Sequence, residues 1–330
     1  MAGQIFTFNA EQYADHFARE GYVHIPGGVS EGFYAKLVKQ VDENMKSRTM
    51  KEFAIGDKQQ AMYEFPEGDD YAQEVCTKIG AVCGLDPEKI VISERHIKAY
   101  DADAQSHPNA HKDRYASQIS VGLSVHVKEK STLVLYPYDE NDINPFNTSV
   151  ALRASLSPDR YPEPRLKQGR RVEIQDAARD VIVFRGHTIW HLRENPANTT
   201  MLYLKLNAFN CDPLGEDRRT PLLRQQTESN VQASDEILVK FIPQIGRRVD
   251  HIHRMYTRDW REVPGVVLWN EKHFSIDEDE LKMMQAMDGT RTVEVIAASA
   301  VAGGADRAAT LEKLRRLARR GVIELAASKP

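Results

Sequence analysis

The chain has 330 residues, with 44 Lys and Arg against 48 Asp and Glu, and its formal net charge of −4 offers no global basic field to nucleic acid. That length is ample to bury a core, in one large domain or two smaller ones. Three cysteines (Cys76, Cys83, Cys211) fit a reducing compartment better than a disulfide framework, and no apolar run reaches membrane-spanning length. The start, Met-Ala-Gly-Gln, lacks a charged segment followed by an apolar one, so a soluble, cytoplasmic protein is expected.

In chain order, Asn9 opens a helix that stops at Gly21, and Tyr22-Val-His-Ile reads as a short strand closed by Pro26-Gly-Gly. Ser30 caps a second helix, in which Phe33, Leu37, Val38 and Val41 recur at helical spacing. Residues 46–70 are polar and read as a loop bordering a site, and Asp70 to Cys83 as another helix. His16 and His24 read as surface or packing residues. Ile90 to Tyr100 is a strand with Glu94, His96, Lys98 and Tyr100 on one face. That face is either a wet exterior or an interior where Lys98 and Tyr100 meet a carboxylate ligand.

Next comes His107-Pro-Asn-Ala-His111-Lys-Asp113-Arg-Tyr115, just before the alternating run Gln118 to Val127. Residues two apart on an extended strand share a face, so His111 and Asp113 can grip one metal from one side. Pro108 argues against a helix that would align His107 with His111. About eighty residues on, Val181-Ile-Val-Phe-Arg-Gly-His187-Thr-Ile-Trp-His191 offers another imidazole at the end of a β-branched run. Two His and one carboxylate with positions left open is the facial triad of non-haem Fe(II) oxygenases. His187 and His191 both stand as the distal ligand at this point. Thr132 to Tyr136, Arg171 to Gln175 and Thr199 to Phe209 complete the strands, the last with Met201, Tyr203 and Lys205 opposite Leu202, Leu204 and Leu206.

Phe17-Ala-Arg-Glu-Gly-Tyr22-Val-His-Ile-Pro26, then His111-Lys-Asp113, then a strand ending near His191, resembles the Fe(II)/2-oxoglutarate-dependent oxygenases. The likeness is greatest to the phytanoyl-CoA hydroxylase-like branch, over roughly residues 5–210. The resemblance implies a mainly β fold with flanking helices, a double-stranded β-helix (jelly-roll, cupin-like) barrel. It favours His191 over His187 and makes His111, Asp113 and His191 the catalytic Fe(II) ligands. It also implies 2-oxoglutarate as co-substrate with O2, succinate and CO2 as products, and hydroxylation of a C–H bond. Family halogenases carry Gly or Ala where Asp113 stands. For the distal carboxylate of 2-oxoglutarate it favours Lys205, with Arg193 as rival and Tyr203, Lys98 and Tyr100 nearby. Arg114, Tyr115 and Trp190 fall on the substrate side. The family's Pro-Gly-Ser-His-like element is replaced by Tyr136-Pro-Tyr-Asp and a Pro-rich stretch through Pro164, which leaves the substrate region without a template.

Beyond Cys211, residues 1–215 are taken as the oxygenase domain, 216–274 as a helical connecting segment and 275–330 as a separate module. Asp235 to Ile242 reads as helical, and His251-Ile-His253 is set aside as a metal pair because residues two apart diverge on a helix. The tail reads helix, Asp288-Gly289 turn, helix from Thr292, helix from Ala305 to Arg320, then Val322 to Leu325, which looks like a winged helix. Expected partners are a small-molecule substrate, with no membrane and no nucleic acid, and a second copy through the tail. Rival readings are a peptide or protein side-chain hydroxylase, and a DNA-binding regulator with a cupin-like sensory domain.

Overall fold

Local signals set the amino-terminal helices of the structure, a computed structural model describing residues 4–46, 51–53, 58–67, 70–106, 109–128, 130–269 and 272–327. Helix α1 (Glu11–Glu20) begins where Asn9 Oδ1 accepts from Glu11 N and ends at Gly21, whose φ of 76° is the left-handed cap that glycine adopts freely. Strand β1 (Tyr22–Ile25) follows, then α2 (Glu31–Lys46), whose first turn is held by Phe33 N donating to Ser30 Oγ. The stretch expected as loop contains two strands, β2 (Lys51–Phe53) and β3 (Lys58–Met62), which pair in turn onto β4 (Val91–Tyr100). Helix α3 (Tyr71–Cys83) lies between them, capped by Asp70.

The rest of the first unit, which spans Met1–Phe209, is mostly strand. It comprises β5 (Ile119–His126), β6 (Thr132–Tyr136), helices α4 (Ser149–Ser155) and α5 (Glu163–Leu166), then β7 (Val172–Ile174), β8 (Val181–Phe184), β9 (Trp190–Glu194) and β10 (Thr200–Asn207). All pairings are antiparallel. One sheet runs β1-β8-β5-β10-β4-β3-β2, and a smaller one β7-β6-β9. The alternation of β5 shows which way the large sheet faces. Ile119, Val121, Leu123 and Val125 join Leu202, Leu204, Phe17, Phe33, Leu37 and Ile79 in one core between sheet and helices. Burying each such side chain stabilises the fold by roughly 1.5–3 kcal/mol. On its other side, Ile182 and Phe184 pack with Leu133, Leu135 and Ile174 of the small sheet, so the two sheets face each other. Glu94, His96 and Lys98 of β4 and Tyr203 and Lys205 of β10 lie on this inter-sheet side, in register with one another. The face that could have been a wet exterior is an interior.

The run taken to end at His191 is two elements. β8 stops at Phe184 in the large sheet, and His191 belongs to β9, opposite Leu135 in the small one. His107 lies outside the described residues.

The second unit, Asn210–Pro330, is described by itself. Helix α6 (Arg219–Asn230) and a short α7 (Asp235–Leu238) lead into strands, not further helix: β11 (Ile242–Ile245), β12 (Val249–Tyr256), β13 (Glu262–Leu268) and β14 (His273–Ser275). Helices α8 (Glu278–Gln285), α9 (Val293–Ala302) and α10 (Arg307–Arg319) follow, and β15 (Ile323–Ala326) returns to pair with β11. Asp277 and Glu280 form a reciprocal capping box on α8, while Thr292 and Asp306 cap α9 and α10. Val231, Leu238, Val249, Val266 and Leu268 share one core with Leu281, Met284, Val293, Ile296, Leu311, Leu314 and Leu317. The stretch read as a connecting segment therefore supplies part of the tail's core. No helix among the described residues is long and apolar enough to cross a membrane.

Candidate metal and active site

Two backbone hydrogen bonds place the histidines. His111 N donates to His191 O and His191 N to His111 O, both at 2.9 Å, in an antiparallel bridge that extends the small sheet by one residue pair. Side chains opposed across such a bridge project from the same face, and the two rings stand 4.3 Å apart. Two residues on, Asp113 N donates to Gly186 O at 2.9 Å, and Gly186 N donates to Gln118 O. The turn after β8 thus pins the carboxylate beside the imidazoles. One donor atom from each of His111, Asp113 and His191 lies within 4.8 Å of the others. This is the donor set of a non-haem Fe(II) facial triad.

Neighbours orient these donors. His191 Nδ1 lies 2.9 Å from Ile189 O; as the donor there, it leaves Nε2 with its lone pair toward the cluster. Asp113 Oδ2 accepts from Ser120 Oγ and from Lys205 Nζ, each at 2.5 Å, and Lys205 also donates to Ser120 at 3.0 Å. Gly186 makes room for this: a Cβ there would stand 2.0 Å from Ser120 Oγ and 2.7 Å from Asp113 Oδ2. Burial pushes the Asp113 carboxyl up, but Lys205, His191 and His111 together hold it far below the usual carboxylate range. Burial lowers the His191 pKa, with Asp113 opposing, so the neutral, ligating imidazole is favoured.

His187 stands outside the cluster. It is buried, its ring parallel to Phe209 at 6.3 Å, and burial lowers its pKa to about 4. Arg193 turns its two terminal nitrogens to another group, with Nη1 and Nη2 donating to Asp176 at 2.9 and 3.3 Å and Nη1 to Ser131 at 3.0 Å. Tyr203 has its ring centroid 5.2 Å from Lys205 Nζ and 5.3 Å from Lys98 Nζ. Lys98 pairs with Glu94 at 3.0 Å, and Arg114 reaches the same carboxylate at 3.3 Å. Tyr100 is half-buried, and desolvation followed by the nearby Tyr203 pushes its phenol up. Tyr115 packs against Phe209 at 4.6 Å. Trp190 lies on the other face of β9 from His191. Successive residues of a strand point to opposite faces, and while His191 meets Phe184 between the sheets, Trp190 packs with Val134, Tyr136 and Leu166 on the far side.

Sequence reading missed Ser120 and Gly186. Ser120 was legible as part of the polar face of Gln118 to His126, whereas Gly186 gave no signal, because its contacts come from strands far away in sequence. His251 and His253 do share a face, since β12 is a strand, and their rings stand 5.2 Å apart, but they do not join the cluster of convergent donors.

No protein-family model and no curated protein matches the chain. Among solved structures it is similar to the non-heme alpha-ketoglutarate-dependent epimerase SnoN from nogalamycin biosynthesis, at 14% identity over 61% of this chain and 83% of that one, TM-score 0.47. It is also similar to the carbocyclase SnoK of the same biosynthesis (14%, 60% and 85%, TM-score 0.45) and to a Pseudomonas putida prolyl-4-hydroxylase (12%, 60% and 96%, TM-score 0.41). Likenesses at this identity and TM-score carry no functional weight, and what the site can do follows from its own atoms.

Proposed function

We propose that the chain is an Fe(II)- and 2-oxoglutarate-dependent oxygenase that hydroxylates a C–H bond of a small polar molecule. The observation that carries this reading is the convergence of His111, Asp113 and His191 within 4.8 Å, a donor set that leaves metal positions open for other ligands. The two facing antiparallel sheets support a double-stranded β-helix for residues 1–209. When bound, Fe(II) with O2 and 2-oxoglutarate supplies the oxidising chemistry, coupling loss of CO2 and formation of succinate to oxidation of the substrate. The chain's own residues hold and orient: Ile189 O turns the His191 ring, Ser120 and Lys205 fix Asp113, and Phe184 walls the site beside His191.

In this reading Lys205 also offers an N–H to the distal carboxylate of 2-oxoglutarate, while Arg193, held by Asp176, acts structurally. Loss of a charge-assisted contact costs about 1.5–3 kcal/mol, so Lys205→Ala should raise the 2-oxoglutarate requirement roughly ten- to hundredfold. Arg193→Ala should instead lower the melting temperature. Residues 275–330 are read as a winged-helix-like module that serves the enzyme, by pairing two copies or presenting substrate. The order α8, α9, α10, β15 supports that reading.

The test is iron-dependent release of succinate by the full chain given 2-oxoglutarate in air. His111→Ala, Asp113→Ala and His191→Ala should each lose iron binding and succinate release together, and His187→Ala should keep iron. A folded wild-type chain that converts no 2-oxoglutarate in the presence of iron would overturn the proposal.

A further inference from the structure

Between the sheets, beside the triad, one buried carboxylate is shared by two cations. Glu94 has a side chain only 4% exposed; Lys98 Nζ lies 3.0 Å and Arg114 Nη2 3.3 Å from its oxygens, and His96 Nδ1 lies 3.1 Å from Oε1. The two cations are not sealed in as Glu94 is: their side chains are 18% and 25% exposed. Of these three side chains two are cations and one is a carboxylate, so together they carry one positive charge in excess. Glu94 thus forms a buried floor beneath a cationic rim.

The rim is placed for the reaction. Arg114 follows the metal-ligand candidate Asp113 directly in sequence. Lys98 is one aromatic ring from Lys205, since both ammonium groups lie just over 5 Å from the Tyr203 centroid and Lys205 touches Asp113. A guanidinium offers a carboxylate two parallel N–H bonds, and an adjacent ammonium adds a point charge. We infer that Lys98 and Arg114 form a subsite for a carboxylate of the substrate, so that the oxidised C–H belongs to a small carboxylic acid and lies a few bonds from its acid group. This assignment rests on the oxygenase reading, and it keeps Lys205 for the co-substrate.

The experiment uses the full chain loaded with Zn(II) and 2-oxoglutarate and titrated with fluorinated benzoates and phenylacetates, each beside its primary amide. Binding is read by fluorine NMR. The acids should bind at least tenfold more tightly than their amides. Arg114→Met and Lys98→Met should each remove most of that preference, and Arg114→Lys should retain part of it. Because loss of a buried partner can harm folding, Glu94→Gln provides a gain: removing the competing negative charge should tighten acid binding severalfold, which a damaged fold would not do. Amides binding as well as acids, or a preference unchanged in Arg114→Met, would overturn the subsite. Acid binding seen only when 2-oxoglutarate is left out would overturn its assignment to the substrate. Iron-dependent succinate release reports on the oxygenase reading separately. If release is absent while the acid preference persists and vanishes in Arg114→Met, the carboxylate site stands and the oxygenase reading falls.

Discussion

Gly186 shows how tightly the candidate centre is fitted at the scale of single residues. Its missing side chain is filled by Ser120 Oγ and Asp113 Oδ2, with Ser117 O 2.8 Å from where a Cβ would be. A methyl group there must move the carboxylate or break its hydrogen bonds. Gly186→Ala should therefore weaken metal binding roughly ten- to hundredfold, the usual cost of disturbing groups that orient ligands; a titration with Mn(II) or Ni(II) measures it. His187 makes a different prediction. Its pKa is lowered to about 4 by burial, against about 6.5 in an unfolded chain. As pH falls from about 6.5 to about 4 the unfolded chain takes up the proton and the folded one does not, so stability drops, by up to about 3 kcal/mol, and levels off below that window. His187→Phe keeps a ring against Phe209 and removes this proton uptake. Denaturant midpoints at pH 7.5 and 5 should differ less in the variant than in the wild type, and an equal difference would show that His187 does not carry the effect.

At the scale of elements, α10 and the Arg320 that follows it carry the basic residues that would have to meet DNA. Five of the six pair with carboxylates, Arg307 with Glu294, Lys313 with Asp279, Arg315 with Asp235, Arg316 with Glu280 and Arg319 with Glu312, at 2.7–2.8 Å, and Arg320 lies over the Phe274 ring. A helix whose cations already face carboxylates has little left to neutralise phosphates. The full chain should show no salt-sensitive retention of a labelled duplex in anisotropy between roughly 50 and 200 mM salt. Retention that falls steeply with salt and is lost on replacing Arg315, Arg316, Arg319 and Arg320 would defeat the enzyme-module reading. The elements also show what sequence can disclose. The cap at Ser30, the helix starts at Asp70 and Thr292, and the two-faced pattern of Ile119 to Val125 are local and legible. So was His111-Lys-Asp113, because its logic spans three residues. β9 was not legible: Trp190–Glu194 is a strand because it pairs with Thr132–Tyr136, far back in the chain. β12 to β14 were missed similarly. The polar alternation of Val249–Tyr256 looks like surface until β13 is set beside it, and setting His251 and His253 aside rested on a helix that is not there.

For the whole molecule, the decisive boundary is where a cut leaves a complete core behind. The main core of the first unit and its inter-sheet cluster draw only on residues before Phe209, and so do all three convergent donors. The second unit's core draws on both sides of residue 275: Val231, Leu238, Val249, Val266 and Leu268 meet Leu281, Ile296, Leu311, Leu314 and Leu317. A chain ending at residue 274 keeps the first set and loses the second. It bares five large apolar side chains that were nine-tenths or more buried, an exposed surface of the kind that drives aggregation. A chain ending at Phe209 bares none of them. The shorter chain should therefore be the better behaved, giving a soluble protein that melts cooperatively and binds Mn(II) or Ni(II) as the full chain does, while the chain ending at 274 aggregates. Light scattering, thermal melts and metal titrations on the two truncations decide this. A soluble 1–274 that melts like the full chain would mean that residues 275–330 fold on a core of their own, as the sequence alone had implied.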